Sequence, residues 1–500
     1  MTDRPARTPG REILFNAFDM NCVAHQSPGL WRHPDDRART YTTLGYWTDL
    51  ARTLERGLFD GLFLADVLGT YDVYGASNEG PLRTGAQVPV NDPILLVSAM
   101  AAVTEHLGFG VTAGTAYEHP YPFARRLATL DHLTEGRVGW NVVTGYLPSA
   151  AQNLGHRDQM SHDERYDHAD EYLEVVYKLL EGSWEDDAVL DDSVKGFVDP
   201  AKVHAINHHG RWFDVPGIAI TEPSPQRMPV VYQAGTSPRG VTFAGENAEA
   251  VFISSPTVDI MRDSVRKVRA AAVAAGRDPQ AIRVFAMNTI ITAATDEEAW
   301  AKFEEYRHYA DPEGALVLLS GWTGVDLSRF GLDEPVGTVE SNAIRSAVET
   351  ILGARREDGR PWTVRDFSEY IGVGGFGPIL VGSGPRWPTS WLRCRTRPTS
   401  TASTWRTPSR PARSRTSSSS WCRSCRISGA TRRPTPPERC ATSCSDAATG
   451  SRRTIAAAGS GSAATCPPPR TTWSRSPPSS PGSPGPDPVP VRSRPAGPPR

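Results

Sequence analysis

Membrane-spanning and secretory signals are missing from this 500-residue sequence. No apolar run reaches about 18 residues, the length that indicates a transmembrane helix. The first residues, Met1 to Gly10, are polar and lack the apolar region of a signal peptide. The sequence therefore predicts no membrane partner, and a cytoplasmic location is the default expectation.

Cysteine is scarce and unevenly placed. Only Cys22 precedes residue 382, and the other six of the seven cysteines follow it. The first part is therefore expected to fold without disulfides. In the last part, Cys422, Cys425, Cys440 and Cys444 have a spacing that resembles a zinc site, but their surroundings do not predict a folded knuckle. No metal is expected.

Lysine is absent from the C-terminal part, and this reveals a charge asymmetry. Residues 382–500 contain 20 Arg, no Lys and three acidic residues, whereas residues 1–381 contain 34 basic and 53 acidic residues, a net charge of −19. The acidity of the first part argues against nucleic acid as its partner. An Arg-rich tail could bind nucleic acid non-specifically, but its sequence contains no recognisable nucleic-acid-binding domain.

The tail also lacks Phe, Tyr, Asn, Gln, His and Met across 119 residues. One explanation is a natural, basic, disordered tail. The favoured explanation is a shift of the reading frame near Gly382. Two domains are accordingly predicted: a folded domain over residues 1–381 and a non-globular tail over residues 382–500.

Several common catalytic motifs are absent, among them H-E-x-x-H, G-x-S-x-G and the P-loop. The segment from Gly372 to Gly377 fits G-x-G-x-x-G, but no periodic helix follows it and no acidic residue lies about 20 positions on. A dinucleotide fingerprint is therefore not expected.

What is present is a repeated alternation of apolar strands and amphipathic helices. The predicted strands span 12–18, 61–66, 108–115, 136–146, 230–235, 250–254 and 283–293. This alternation predicts an α/β fold, and it favours a (β/α)8 TIM barrel with a long insertion after strand 4, at about residues 147–228. Catalytic groups are expected at the strand carboxyl ends, at Cys22, Asp66, Thr112, Gly145 and Gly235.

Several ordered motifs resemble the bacterial-luciferase-like flavin monooxygenases, in the branch of the nitrilotriacetate, dibenzothiophene-sulfone and long-chain alkane monooxygenases. The alkane enzyme is the expected nearest relative. The motifs run over Asn16 to His25, Gly29 to Pro34, Phe63 to Asp66, Tyr117 to Tyr121, Trp140 to Thr144, His162 to Tyr166 and Tyr232 to Gly235.

The resemblance implies a two-component monooxygenase. Reduced FMN from a separate NAD(P)H-dependent flavin reductase would be a cosubstrate with O₂, and the substrate would be a small organic molecule such as an alkane, sulfone or aminopolycarboxylate. A homodimer or larger homo-oligomer is implied as well. The alternative is a degenerate, inactive flavin-binding barrel.

The resemblance also implies site residues. The FMN positions carried over are Asp66, Thr112, Asn141, His162, Tyr166, Ala234, Gly235 and Ser237. His162 and Tyr166 lie four residues apart at the start of one predicted helix, so both could face one ligand. Hydroxyls of Tyr166 and Ser237 would bind the phosphate, helped by backbone N–H groups where a helix begins.

On the substrate side, the resemblance implies Cys22, His25 and Tyr71 as catalytic residues, with His25 or Tyr71 donating a hydrogen bond. Cys22 could equally be a small buried hydrophobe. The sequence departs from the alkane enzyme at Gly145 and Tyr146, where that enzyme has Ser and His. A further departure is the apparent loss of the eighth strand and last helices to the tail.

Overall fold

Parallel strands and helices alternate along the chain in the computed structural model, which describes residues 13–192, 194–235, 237–254, 258–335 and 359–383 and the backbone of 402–406. The strands are β1 (Leu14–Met20), β2 (Gly61–Ala65), β3 (Gly108–Gly114), β4 (Val138–Val143), β5 (Val189–Asp192), β6 (Gly196–Val198), β7 (His208–His209), β8 (Asp214–Val215), β9 (Val230–Gln233), β10 (Ala250–Ile253), β11 (Arg283–Ile291), β12 (Ile379–Val381) and β13 (Ala402–Arg406).

The helices are α1 (Leu44–Arg56), α2 (Glu79–Thr84), α3 (Ile94–Ala101), α4 (Pro120–Leu133), α5 (Pro148–Asn153), α6 (His162–Tyr177), α7 (Pro238–Asn247), α8 (Val258–Ala274), α9 (Asp296–Tyr309), α10 (Pro312–Thr323) and α11 (Val364–Gly374). A π-helical turn, Lys178–Gly182, continues α6, and short 3-10 helices lie at Leu30–Arg32, Ala38–Thr40, Tyr74–Ala76, Pro200–Lys202 and Leu327–Arg329. Within these described residues, no helix is both long and apolar enough to cross a bilayer.

The main sheet is parallel and curls back on itself. Its order is β1, β2, β3, β4, β9, β10, β11 and β13, and β13 pairs with β1. β12 pairs with the last residues of β11. The fold is therefore α/β, and the carboxyl ends of the strands meet at one mouth of the curled sheet. The seven strands expected from the sequence are all present, shifted by a few residues at their ends.

The expectation that the eighth strand is missing is wrong. Ala402–Arg406, within the stretch interpreted as a disordered tail, pairs in parallel with β1 on one side and with β11 on the other. The physical reason is that two neighbouring strand edges present unpaired backbone N–H and C=O groups, which an extended segment satisfies with its backbone. The remaining residues of the predicted tail after 383 lie outside the described ones, so their disorder and reading frame stay predictions.

The interior of the curled sheet is filled by aromatic rings that pack over glycines. A Cβ on Gly139 would lie 2.5 Å from Cε2 of Tyr232, and one on Gly110 would lie 2.8 Å from Cδ2 of Phe63. Phe63 and Phe252 have ring centroids 4.0 Å apart. Side chains on these two glycines would displace the rings, so the glycines allow this packing.

An insertion separates β4 from β9 and carries α5, α6 and the hairpins β5–β6 and β7–β8. A hydrogen bond joins the end of the insertion to α4: the backbone N–H of Gln226 donates to the fully buried Asp131 carboxylate at 2.7 Å. The middle of the insertion is tied by Glu171 of α6, which accepts backbone N–H bonds from Arg211, Trp212 and Phe213. These bonds fix α6 at the mouth of the sheet.

Closure by β13 can be tested with two truncated chains. A chain that ends after Ser400 should be less stable than one that ends after Arg410, on the order of 3–5 kcal/mol, because only the shorter chain leaves β1 and β11 with unpaired edges. Urea unfolding of both chains gives the difference. The longer chain is the matched control, and superimposable unfolding curves would show that β13 does not close the sheet.

Candidate functional site

Two adjoining cavities lie at the carboxyl ends of the parallel strands. The larger has a volume of about 610 Å³ and the smaller about 270 Å³. Ligand sites of parallel α/β folds lie at this end of the sheet. Six residues line both cavities and form their shared wall: Asp66, Val67, Thr112, Val143, Tyr146 and Ala234.

One end of the larger cavity is built from the beginnings of α6 and α7. His162 and Tyr166 both line it, and their ring centroids are 5.3 Å apart. Ser237 is the N-cap of α7, where its Oγ accepts a 3.1 Å hydrogen bond from the backbone N–H of Gly240. Burial raises the pKa of Tyr166, while a hydrogen bond with Ser237 opposes that effect. The structure thus brings together His162 and Tyr166, which the helix spacing predicted to face one ligand, and Ser237, which the resemblance implied.

Gly235 lies where β9 turns towards α7, and the site requires a glycine there. A Cβ at this position would lie 2.4 Å from both Tyr166 Oη and Gln233 Nε2. Any larger residue would push Tyr166 out of position.

Two functional groups of this cavity were missed by sequence reasoning. Arg165 is only 3% exposed and lines the larger cavity, where its guanidinium donates a 2.8 Å hydrogen bond to the carbonyl of Met160. Burial lowers its pKa. Arg165 lies in the run Asp163-Glu164-Arg165, which is typical of a solvated helix face. Gln233 also lines the cavity, at the end of a strand that looked apolar.

The other end of the larger cavity, at its wall with the smaller one, carries Asp66 and Thr112, whereas Asn141 lines the smaller cavity. The side-chain N–H of Asn141 donates a 3.0 Å hydrogen bond to Thr112 Oγ1. Within the described part of the chain, Asn141 Oδ1 and Gln233 Oε1 are buried without a hydrogen-bond partner. Burial raises the pKa of Asp66 to about 7, and the nearby Asp92 adds to this shift.

The smaller cavity is mainly apolar. Aromatic rings and thioethers line it: Phe18, Phe63, Phe252, Trp322, Phe376, Met20 and Met287. His25 and Tyr71 line it too, and His25 packs edge-on to Phe18 at a centroid distance of 4.4 Å. The structure thus brings two of the three predicted catalytic residues, His25 and Tyr71, to this cavity.

Cys22 lines neither cavity in the described part of the chain. It is 5% exposed, and its backbone forms an isolated bridge with Val90. Its role therefore stays a prediction, with a catalytic residue and a small buried hydrophobe as the two alternatives. In the same described ranges, no group of three or more His, Cys, Asp or Glu side chains could hold a metal ion.

Known proteins share this architecture. The sequence pattern of the Luciferase-like monooxygenase family matches residues 20–348. The dimethyl-sulfide monooxygenase of Hyphomicrobium sulfonivorans is 54% identical over 377 residues, which cover 75% of this chain and 78% of that protein. The long-chain alkane monooxygenase of Geobacillus thermodenitrificans strain NG80-2 is 49% identical over 373 residues, which cover 73% of this chain and 85% of that protein.

A crystal structure of a riboflavin lyase with modified FMN and riboflavin is similar to this fold. The TM-score is 0.77 at 32% identity, and the match covers 84% of this chain and 93% of that chain.

The curled parallel sheet and its paired cavities define an α/β enzyme with its site at the strand ends. The chain belongs to the luciferase-like monooxygenase family and is an oxidoreductase. The expectation that the alkane enzyme is the nearest relative is wrong, because the dimethyl-sulfide monooxygenase shares more identical residues over a similar length.

The raised pKa of Asp66 predicts how stability changes with pH. Its carboxyl keeps a proton up to about pH 7 in the folded chain but loses it near about pH 4 when unfolded. The stability that the neutral carboxyl contributes is therefore complete below about pH 4 and is lost as the pH rises to about 7. Asp66→Asn removes this loss and should stabilise the chain by about 1–3 kcal/mol at pH 8.

Urea unfolding of wild type and variant at pH 8 and near pH 4 measures this difference, which should shrink at the lower pH. Asp158→Asn is the control, because that side chain is 88% exposed. An Asp66→Asn variant that is no more stable than wild type at pH 8 contradicts the raised pKa.

Proposed function

We propose that this chain oxygenates a small, neutral organic molecule with O₂ and reduced FMN, with FMN in the larger cavity and the substrate in the smaller one. The proposal takes the curled sheet to be a (β/α)8 barrel. The observation that carries it is the shared wall, because an oxygenation requires that cofactor and substrate lie side by side. The names of the two relatives and the FMN in the riboflavin lyase support it.

The residues of the larger cavity fit FMN at its ring end. An isoalloxazine ring offers both an N–H donor and carbonyl acceptors. Gln233 Oε1 in the larger cavity and Asn141 Oδ1 in the adjoining smaller one are buried acceptors that lack a partner within the described residues, and such atoms are stabilised by a donor. Asp66, with a pKa of about 7, is available as a donor when protonated and as an acceptor when ionised.

The opposite end of the cavity fits a phosphate. The hydroxyls of Tyr166 and Ser237, the guanidinium of Arg165 and the beginning of α7 lie around it. Helix N-termini and arginines both stabilise a phosphate dianion. Gly235 keeps the backbone close to Tyr166, so the phosphate would meet backbone N–H groups and not a side chain.

Reduced FMN, when bound, would supply the electrons that activate O₂ for oxygenation. The protein's own contribution is to bind, to orient and to exclude water. The rings of Phe18, Phe63 and Phe252 keep the smaller cavity apolar, which protects a reactive site from water. We also propose that a separate NAD(P)H-dependent flavin reductase supplies the reduced FMN, and that the chain works as a homo-oligomer in the cytoplasm.

The lining of the smaller cavity supports a neutral substrate. Among the described residues that line the smaller cavity, Asp66 is the acidic one, and Lys and Arg are absent. A polyanionic aminopolycarboxylate would lack a cation to pair with, and burying its charges would be costly. A sulfide or an alkane would meet mainly apolar side chains, and these contacts favour its binding.

Removing the two hydroxyls tests the phosphate assignment. Tyr166→Phe with Ser237→Ala should weaken FMN binding about 10- to 100-fold, since each hydrogen bond to a charged group contributes about 1.5–3 kcal/mol at most and the contributions overlap. Riboflavin, which lacks the phosphate, should bind both proteins with similar affinity. Fluorescence titration with each flavin gives the two dissociation constants.

Tyr172→Phe is the matched control for this double variant. Its hydroxyl is buried without a partner in the described structure, and its ring packs against Trp140 behind the cavity. An equal loss of FMN and riboflavin binding in the double variant, or no loss of either, rules out the phosphate assignment.

Turnover distinguishes the oxygenase from the inactive flavin-binding alternative. With chemically reduced FMN and O₂, dimethyl sulfide or a medium-length alkane should be oxygenated, while nitrilotriacetate should not react, because the smaller cavity offers no cation to a carboxylate. Product analysis by mass spectrometry with ¹⁸O₂ measures the outcome. Tight FMN binding with no product from any neutral substrate supports the inactive alternative, and oxygenation of nitrilotriacetate contradicts the neutral-substrate assignment.

A further inference from the structure

A chain of three aromatic side chains ends at the wall between the two cavities. The indole N–H of Trp322, in α10, donates a 3.2 Å hydrogen bond to Tyr71 Oη. Tyr71 Oη is in turn hydrogen-bonded to Tyr146 Oη. Tyr71 lines the smaller cavity, whereas Tyr146 lines both cavities.

The direction of the first hydrogen bond is fixed by chemistry. An indole nitrogen is only a donor, so Tyr71 must accept from Trp322. Tyr71 then has its own proton to give, and Tyr146 Oη is its neighbour. Because Tyr71 is 1% exposed, this arrangement satisfies its hydroxyl fully within the protein. Donation from Tyr71 to Tyr146 Oη leaves the hydroxyl proton of Tyr146 for an acceptor in the cavities that Tyr146 lines.

The surrounding backbone holds this arrangement in place. A Cβ on Gly321 would lie 2.1 Å from Cδ1 of Tyr71, so a glycine in α10 admits the Tyr71 ring. Gly145 has a φ of +75°, a conformation that favours glycine, and a Cβ there would lie 2.8 Å from Tyr117 Oη. The turn at Gly145 brings Tyr146, the next residue, to the shared wall.

We propose that Tyr146 is the hydrogen-bond donor to the reacting oxygen at the junction, and that Tyr71 and Trp322 are positioning residues that orient its hydroxyl. This differs from the sequence expectation that Tyr71 or His25 donates, and it rests on the proposed function. The interaction is hydrogen-bond donation, so the phenol keeps its proton and no bond to it breaks.

The protonation states agree with this assignment. Burial raises the pKa of Tyr146 to about 12, although the hydrogen bond with Tyr71 opposes that rise. Burial likewise keeps the pKa of Tyr71 well above its usual value. Both phenols therefore carry their protons at neutral pH, and the donor is available throughout the physiological range.

A pair of probes tests the donor without flavin. Acetophenone has a carbonyl acceptor, and α-methylstyrene has the same shape without one. Calorimetric titration of the flavin-free full chain gives the ratio of their dissociation constants. Wild type should prefer acetophenone by about tenfold, the value of one good hydrogen bond.

The variants separate the donor from its positioning residues. Tyr146→Phe should abolish the preference for acetophenone, so that the two dissociation constants become about equal. Tyr71→Phe and Trp322→Phe should lower the preference only by a factor of about two to three, because the donor remains but is less well oriented. Tyr172→Phe, outside both cavities, should leave it unchanged. The infrared carbonyl stretch of bound acetophenone should lie at lower frequency in wild type than in Tyr146→Phe. The other variants should keep this lowered frequency at least in part.

A preference that survives Tyr146→Phe, or one that Tyr71→Phe abolishes, overturns the assignment. If Tyr146→Phe does not fold, the partial losses in Tyr71→Phe and Trp322→Phe still decide the question, since a complete loss in either contradicts a separate donor. These measurements need no FMN, so their failure is distinct from a failure of FMN binding, which the Tyr166 and Ser237 variants measure.

Discussion

Closure of the parallel sheet is the constraint on which the site depends. Every strand needs a neighbour on both sides for its backbone N–H and C=O groups, and a curled sheet meets this need when its first and last strands pair. Closure also brings all the strand carboxyl ends to one mouth. Asp66, Thr112 and Gly235 come from distant parts of the sequence, yet they line one cavity for this reason. The glycines of β3 and β4 serve the same constraint, because they leave room inside the curled sheet for aromatic rings.

The sequence predicts those strands and helices that a short, local pattern of residues marks. Strands covered on both faces appear as short apolar runs, and seven were predicted in this way. The i,i+4 spacing of His162 and Tyr166 predicted a common face, and a helix was expected to begin near Ser237. α10 was not predicted, because it is buried on all sides and an apolar helix has no amphipathic period.

Other features could not be predicted because they depend on direction in three dimensions. Cys22 follows the end of β1, yet it is buried and is not part of the described lining of either cavity, since a position at a strand end does not determine where its side chain points. Arg165 shows the opposite case: it follows two acidic residues as an exposed helix face would, yet it is buried in the larger cavity. β13 had no hydrophobic signal, because its place depends on the backbone pairing that two open edges offer.

The contrast between the two cavities explains why their shared wall is polar. The larger cavity contains the buried Arg165 and the hydroxyls of Tyr166 and Ser237, whereas the smaller is lined mainly by rings and thioethers. A polar group at the boundary needs a partner inside the protein, since the apolar side offers none. Tyr146 has such a partner in Tyr71, which is itself held by Trp322. The position of Tyr146 at the junction is therefore linked to α10, a helix far along the chain from the motifs that first indicated the family.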